Sequence, residues 1–111
     1  MDPNLDQFLN RRVVIDTSGP LLYIGTLRRF DAAGYWLADA DVHDRTDGHS
    51  TKESYISETH ELERGGSRRV NRRLVFVERA AVMSVSALDD VVIEDVMTDD
   101  ADESPPKTWL E

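Results

Sequence analysis

Between Leu21 and Asp31 the chain runs through eleven residues that are apolar at Leu21, Leu22, Tyr23, Ile24, Leu27 and Phe30, with Gly25 near the centre. Ser18-Gly19-Pro20 precedes this run and Ala32-Ala33-Gly34 follows it, and both are turn formers, so the pattern predicts one long strand. A glycine inside a strand marks a sharp bend or the close approach of another backbone. A long strand that must bend suits a small barrel wrapped tightly on one core. The rest of the sequence supplies its neighbours. Arg12-Val13-Val14-Ile15-Asp16-Thr17 is rich in β-branched residues and reads as a first strand. Tyr35 to Val42 reads as a third. Leu74-Val75-Phe76-Val77 and Val82-Met83-Ser84-Val85 read as a fourth and fifth, with only Glu78 to Ala81 between them. At the start, Leu5, Phe8 and Leu9 fall on one face of a short N-terminal helix, with Asp2 as its N-cap and Pro3 at its first position.

The stretch from His43 to Arg69 is too long and polar for a hairpin loop. Ser50-Thr51-Lys52-Glu53 has the capping-box pattern of a hydroxyl followed three residues later by Glu. A helix is therefore expected from Thr51 to about Glu63, with Tyr55, Ile56, Thr59 and Leu62 as its apolar stripe and Gly65-Gly66 as its end. The fold class is thus all-β with short helices: a bent five-stranded antiparallel barrel with a helical insertion between strands 3 and 4. Its 111 residues make one domain, placed at residues 1–93 with the insertion at 43–69. Residues 94–111 carry seven carboxylates and one cation, against fifteen and twelve in the preceding part. That tail cannot bury enough apolar surface to fold and is expected to be disordered. The body is close to charge balance and can present a basic face.

There are no cysteines, so disulfides and thiolate chemistry are excluded. No apolar run approaches a membrane span. The acidic, polar start is not a secretory signal, and the cytoplasm is the expected compartment. Nucleophile elbows, phosphate-binding glycine loops and His-Glu metalloprotease motifs are all absent, so the expectation is a non-enzyme without a cofactor.

In this order and spacing the segments resemble the Sm/LSm family. Phe8-Leu9-Asn10-Arg11-Arg12-Val13 looks like that family's approach to the first strand. Ile24-Gly25-Thr26-Leu27-Arg28-Arg29-Phe30-Asp31 looks like its first motif, and Val75-Phe76-Val77 with Val82-Met83-Ser84-Val85 like its second. The resemblance covers about Leu5 to Asp90. It implies a ring built by pairing the fourth strand of one subunit with the fifth of the next. In RNA-binding members it implies two loops that hold uracil-rich RNA. Here the first loop keeps Asp31 but has Ala33 at the stacking position and Tyr35 where Asn is usual. The second has Glu78 and Arg79 where Arg-Gly is usual. Ala33 has no π-face and Glu78 repels phosphate, so the ordinary uridine pocket is not expected. Tyr35 and Arg79 offer a different stacking and cation pair, although Tyr35 beside Trp36 also reads as a packed strand residue.

Two further clusters bear on function. Arg64, Arg68, Arg69, Arg72 and Arg73 lie within ten positions around Gly65-Gly66. They read either as a phosphate-gripping surface or as a solvated loop paired with Glu58, Glu61 and Glu63. Asp39, Asp41 and His43 alternate and so share a strand face. With Asp44, Asp47 and His49 they supply metal-type donors, yet the spacing matches no established ligand motif and no metal is expected. Trp109 in the tail reads as a partner anchor or as a chance aromatic.

Two functional expectations follow. One is a homo-oligomeric ring binding RNA or another polyanion through Arg68, Arg69, Arg72, Arg73, Arg79, Tyr35 and Asp31. The other is an oligomeric scaffold without RNA binding that recruits protein partners through its insertion and acidic tail.

Overall fold

A computed structural model of the chain describes residues 3–47 and 51–92. The proposed cap Asp2, the metal candidate His49 and the acidic tail with Trp109 lie outside the described residues.

Five strands form one antiparallel sheet: β1 (Arg12–Thr17), β2 (Leu21–Phe30), β3 (Gly34–Asp44), β4 (Arg72–Glu78) and β5 (Val82–Ala87). Their order across the sheet is β4-β3-β2-β1-β5, so β4 and β5 are the two edges. Between β3 and β4 lies the helix α1 (Lys52–Arg64), preceded by a 3-10 turn at Arg45–Asp47. This is the expected architecture, with β3 running two residues further than expected, through His43 and Asp44.

Gly25 does what its position implies. A Cβ there would lie 2.9 Å from the Ala40 Cβ and 3.1 Å from the Leu37 Cβ. The β2–β3 register slips at this point, between Ile24 and Thr26. The slip is a bulge centred on Asp39, whose φ is 48°. It turns Ala40 into the core and Asp41 to the opposite face.

The inner core joins Leu5, Val13, Ile15, Leu27, Tyr35, Leu37, Ala40 and Val77. Burying each of its larger aliphatic side chains contributes about 1.5–3 kcal/mol. The N-terminal segment closes this core as a six-residue 3-10 helix, Pro3–Phe8, not as the α-helix expected. Six residues are too few to repay α-helix nucleation, and Asn10 stops the run at φ 62°. The Asn10 N–H then donates to the Leu27 carbonyl at 2.7 Å, which hooks the segment onto β2.

A second core lies on the outer face. Tyr55 and Ile56 of α1 pack there on Val14, Leu22, Ile24 and Leu88. The helix is capped one residue later than the sequence suggests: the Thr51 hydroxyl accepts from the Ser54 N–H at 3.0 Å. Tyr55, Ile56 and Thr59 are buried as expected, whereas Leu62 is exposed. At its end the Gly66 N–H reaches the Glu63 carbonyl and the Ser67 N–H the Leu62 carbonyl. Ion pairs fasten both ends of α1. Lys52 Nζ sits 2.6 Å from Asp16 Oδ1 and also donates to the Thr17 and Gly19 carbonyls. Arg12 grips Glu63 through Nε at 3.1 Å and Nη2 at 2.6 Å, and donates through Nη1 to the Asp39 carbonyl.

Candidate nucleic-acid interface

The residues singled out for RNA contact fall at two opposite ends of β4. At one end the β2–β3 turn meets the short connection between β4 and β5. Gly34 lies opposite Glu78 in register, and the Arg79 N–H donates to the Ala33 carbonyl at 2.9 Å. Gly34 permits this approach, because a Cβ there would strike the Val77 carbonyl oxygen. The sequence reads Gly34 only as a turn former, since the contact depends on a strand more than forty residues away. Asp31 is committed to the turn: its Oδ1 accepts from the Ala33 N–H at 2.9 Å and the Gly34 N–H at 3.2 Å. Ala32, Ala33, Phe76, Glu78, Arg79 and Ala80 line an open concavity of about 640 Å³ here. Its two charges are adjacent and opposite in sign. Tyr35 is packed in the inner core at 7% exposure, and what remains of its surface lines, with Arg79, Leu5, Phe8 and Met83, a pocket of about 320 Å³. Of the two readings of this residue, the packed one describes the structure.

The arginine run lies at the other end. β4 begins at Arg72, opposite Ala40, and Arg79 follows Arg73 by six positions. At strand rise that is about 20 Å, so Arg72 and Arg73 do not join Arg79 in one pocket. Asn71 pins this end to β3, its side chain exchanging hydrogen bonds with the Val42 N–H and carbonyl. Most of the run faces carboxylates. Arg64 lies 3.7 Å from Glu61, Arg68 lies 3.9 Å from Asp39, and Arg69 lies 3.1 Å from Glu58. Arg69 also covers the Tyr55 ring at 4.8 Å. Glu63, expected to balance the same run, instead holds Arg12. Arg72 and Arg73 are exposed and have no ion pair among the described residues.

The acidic and histidine cluster does not converge. The bulge breaks the alternation that would put Asp39, Asp41 and His43 on one face: Asp39 is exposed and Asp41 is buried. His43 stacks on Tyr55 with ring centroids 3.8 Å apart and planes 7° apart. Asp44 accepts from the Thr46 hydroxyl and N–H, which holds its carboxyl below the usual range. Nothing is described for the side chain of Asp47. Among the described residues no three His, Asp or Glu side chains are placed to hold a metal. Burial pushes the Asp41 carboxyl above its usual value, opposed by Arg69, His43 and Arg12.

A feature the sequence reading missed lies on the outer face beside α1. Trp36 and Phe76 are cross-strand partners with ring centroids 4.7 Å apart, and the Arg29 guanidinium lies 4.9 Å from the Trp36 ring. Arg28, Arg29, Trp36 and Leu74 line a groove of about 410 Å³ there. The available signal was the even-numbered spacing of Leu74 and Phe76, one face of a strand.

No protein-family model matches the chain, and no curated protein matches it in sequence. Solved structures do match in shape. The Sm protein of Pyrococcus abyssii, solved in complex with a uridine heptamer, is 14% identical, with 78% of this chain and 99% of that one covered and a TM-score of 0.51. A chain of the NatC complex bound to CoA is 19% identical, with 78% and 88% covered and a TM-score of 0.49. A chain of the NatC complex bound to Gag peptide and CoA is 18% identical, with 73% and 86% covered and a TM-score of 0.45. The fold of the chain is Sm-like.

Proposed function

We propose that the chain is a member of the Sm/LSm family that assembles through its two sheet edges into a homo-oligomeric ring and acts as a scaffold for protein partners. The observation that carries this reading is the chemistry of the edges. Sheet edges are normally guarded by charge, proline or a cover. Here β4 carries charge only at its ends, Arg72, Arg73 and Glu78, and between them Leu74-Val75-Phe76-Val77 holds none, while Val82–Ala87 in β5 contains no charged residue and no proline. Leu74 and Met83, one on each edge, are 58% and 69% exposed. Pairing β4 of one copy with β5 of the next would satisfy both rows of backbone groups. The scaffold reading is favoured over RNA binding because Asp31 is used by its own turn, Tyr35 by the core, and Arg64, Arg68 and Arg69 by carboxylates. The proposed role is binding without catalysis or a cofactor, in the cytoplasm.

Met83→Lys places a charge on the edge and is expected to convert the assembly to monomer with an unchanged circular dichroism spectrum. An unchanged mass by light scattering would overturn the reading.

One observation favours a second role, RNA or polyanion binding: Arg72 and Arg73 are exposed at the start of β4 without a carboxylate beside them among the described residues. On the scaffold reading, Arg72→Ala/Arg73→Ala leaves RNA retention unchanged at all salt concentrations. A clear loss of affinity together with a shallower salt dependence, by about 0.7 per lost phosphate contact on single strands, would favour the second role.

A further inference from the structure

The outer groove between Arg28, Arg29, Trp36 and Leu74 combines an apolar floor with two guanidinium groups that have no carboxylate partner among the described residues. The Trp36 indole Nε1 is buried and has no hydrogen-bond partner. Arg29 lies over the Trp36 ring, and the polar contact of Arg28 is with a neutral group, the Asn10 Oδ1 at 3.0 Å. Neither guanidinium has a carboxylate within ion-pair distance among the described residues, in contrast to Arg12, Arg64, Arg68 and Arg69. Leu74, more than half exposed, completes the apolar side. Such a site suits a segment that brings carboxylates and a large apolar side chain together.

The chain carries a segment of that chemistry. Residues 93–111 hold Glu94, Asp95, Asp99, Asp100, Asp102, Glu103 and Glu111 against the single cation Lys107, and end in Trp109-Leu110-Glu111. Val92, the last described residue, lies beside Glu53, Ser54 and Ser57 of α1. From there Trp109 is seventeen residues away, a reach of up to about 55 Å. The longest strand, β3 with eleven residues, spans about 36 Å. The tether therefore reaches across the sheet within one molecule.

We propose that the acidic C-terminal segment of the chain docks in cis into this groove, with carboxylates of residues 99–103 on Arg28 and Arg29 and Trp109-Leu110 against Trp36 and Leu74. Charge complementarity selects the segment and the apolar floor seats it. The short intramolecular tether supplies a high effective concentration, so weak contacts suffice.

The sequence contains two tryptophans, so the indole N–H region of a nitrogen-15 spectrum reads the groove directly. The full chain is compared with a full chain carrying Asp99→Asn, Asp100→Asn, Asp102→Asn, Glu103→Gln and Trp109→Ala. The Trp36 indole signal is expected to move between the two, and Trp36 fluorescence to become more accessible to a soluble quencher in the substituted chain. A synthetic peptide of residues 93–111 added to the substituted chain restores the original signal, and Arg28→Ala/Arg29→Ala weakens that restoration roughly tenfold. An unchanged melting temperature for Arg28→Ala/Arg29→Ala guards against a folding artefact. An identical Trp36 signal in both full chains overturns the proposal. So does a substituted chain whose Trp36 signal the added peptide leaves unmoved, whatever the oligomeric state.

Discussion

The outer face of the sheet has two halves, and they are finished differently. Over β1, β2 and the far end of β3, helix α1 lays Tyr55 and Ile56 on Val14, Leu22 and Ile24, with an ion pair at each end. Over β3 and β4, Trp36, Phe76 and Leu74 share the same face, and no helix of the described residues lies upon them. Both halves mix apolar side chains with arginine. In the covered half each arginine has its carboxylate, Glu63 for Arg12 and Glu58 for Arg69. In the uncovered half Arg28 and Arg29 have none among the described residues. Paired charges close a surface that folding has already completed. Unpaired cations beside an apolar groove mark a surface that binding can still complete.

The sharpest way to break this contrast is to remove one arginine from each half. In the covered half Arg12 and Glu63 have side-chain exposures of only 12% and 13%. Arg12→Ala leaves Glu63 without its partner and is expected to cost about 2–3 kcal/mol. Arg29→Ala in the uncovered half is expected to stay within about 0.5 kcal/mol. Parallel urea titrations check both, and equal losses would erase the distinction.

A smaller effect concerns Asp41, buried under α1. Its carboxyl titrates above the usual aspartate value, because burial outweighs the opposing influence of Arg69, His43 and Arg12. His43, on the same face, stacks on Tyr55 of α1. The folded state therefore holds the proton more tightly than the unfolded one. The contribution of Asp41 is favourable below the ordinary aspartate range and is lost as pH rises through the raised value. Asp41→Asn is expected to raise the melting temperature at pH 7, with the gain shrinking as the pH falls through the raised value and vanishing below about 4. A gain equal at both pH values would contradict burial as the cause.

What the sequence disclosed and what it hid divide along similar lines. Strand 2, the bend at Gly25, the helical insertion and its Gly65-Gly66 end were legible, because each depends on local pattern or local turn chemistry. The bulge at Asp39 was not. Period-two alternation assumes an unbroken ladder, and one residue in the left-handed region moves every later side chain to the other face. The Arg12–Glu63 pair spans 51 residues, and nothing local marks it. The N-cap moved from Ser50 to Thr51, and both are hydroxyl residues of the type that can cap. Of the candidate site, the contact of the two loops through Gly34 and Arg79 depends on strands more than forty residues apart, and the arginine run lies at the opposite end of β4 from it; local spacing carries neither distance.

The central claim is that the open edges make this Sm-like chain an assembling subunit rather than a finished monomer. A native mass spectrum of the full-length protein, purified without nuclease, tests it most directly. The account predicts a discrete homo-oligomer whose mass is a whole multiple of the 12.6 kDa chain, free of nucleic acid. A monomer at the same concentration would contradict the assembly, and an oligomer carrying RNA would contradict the scaffold role.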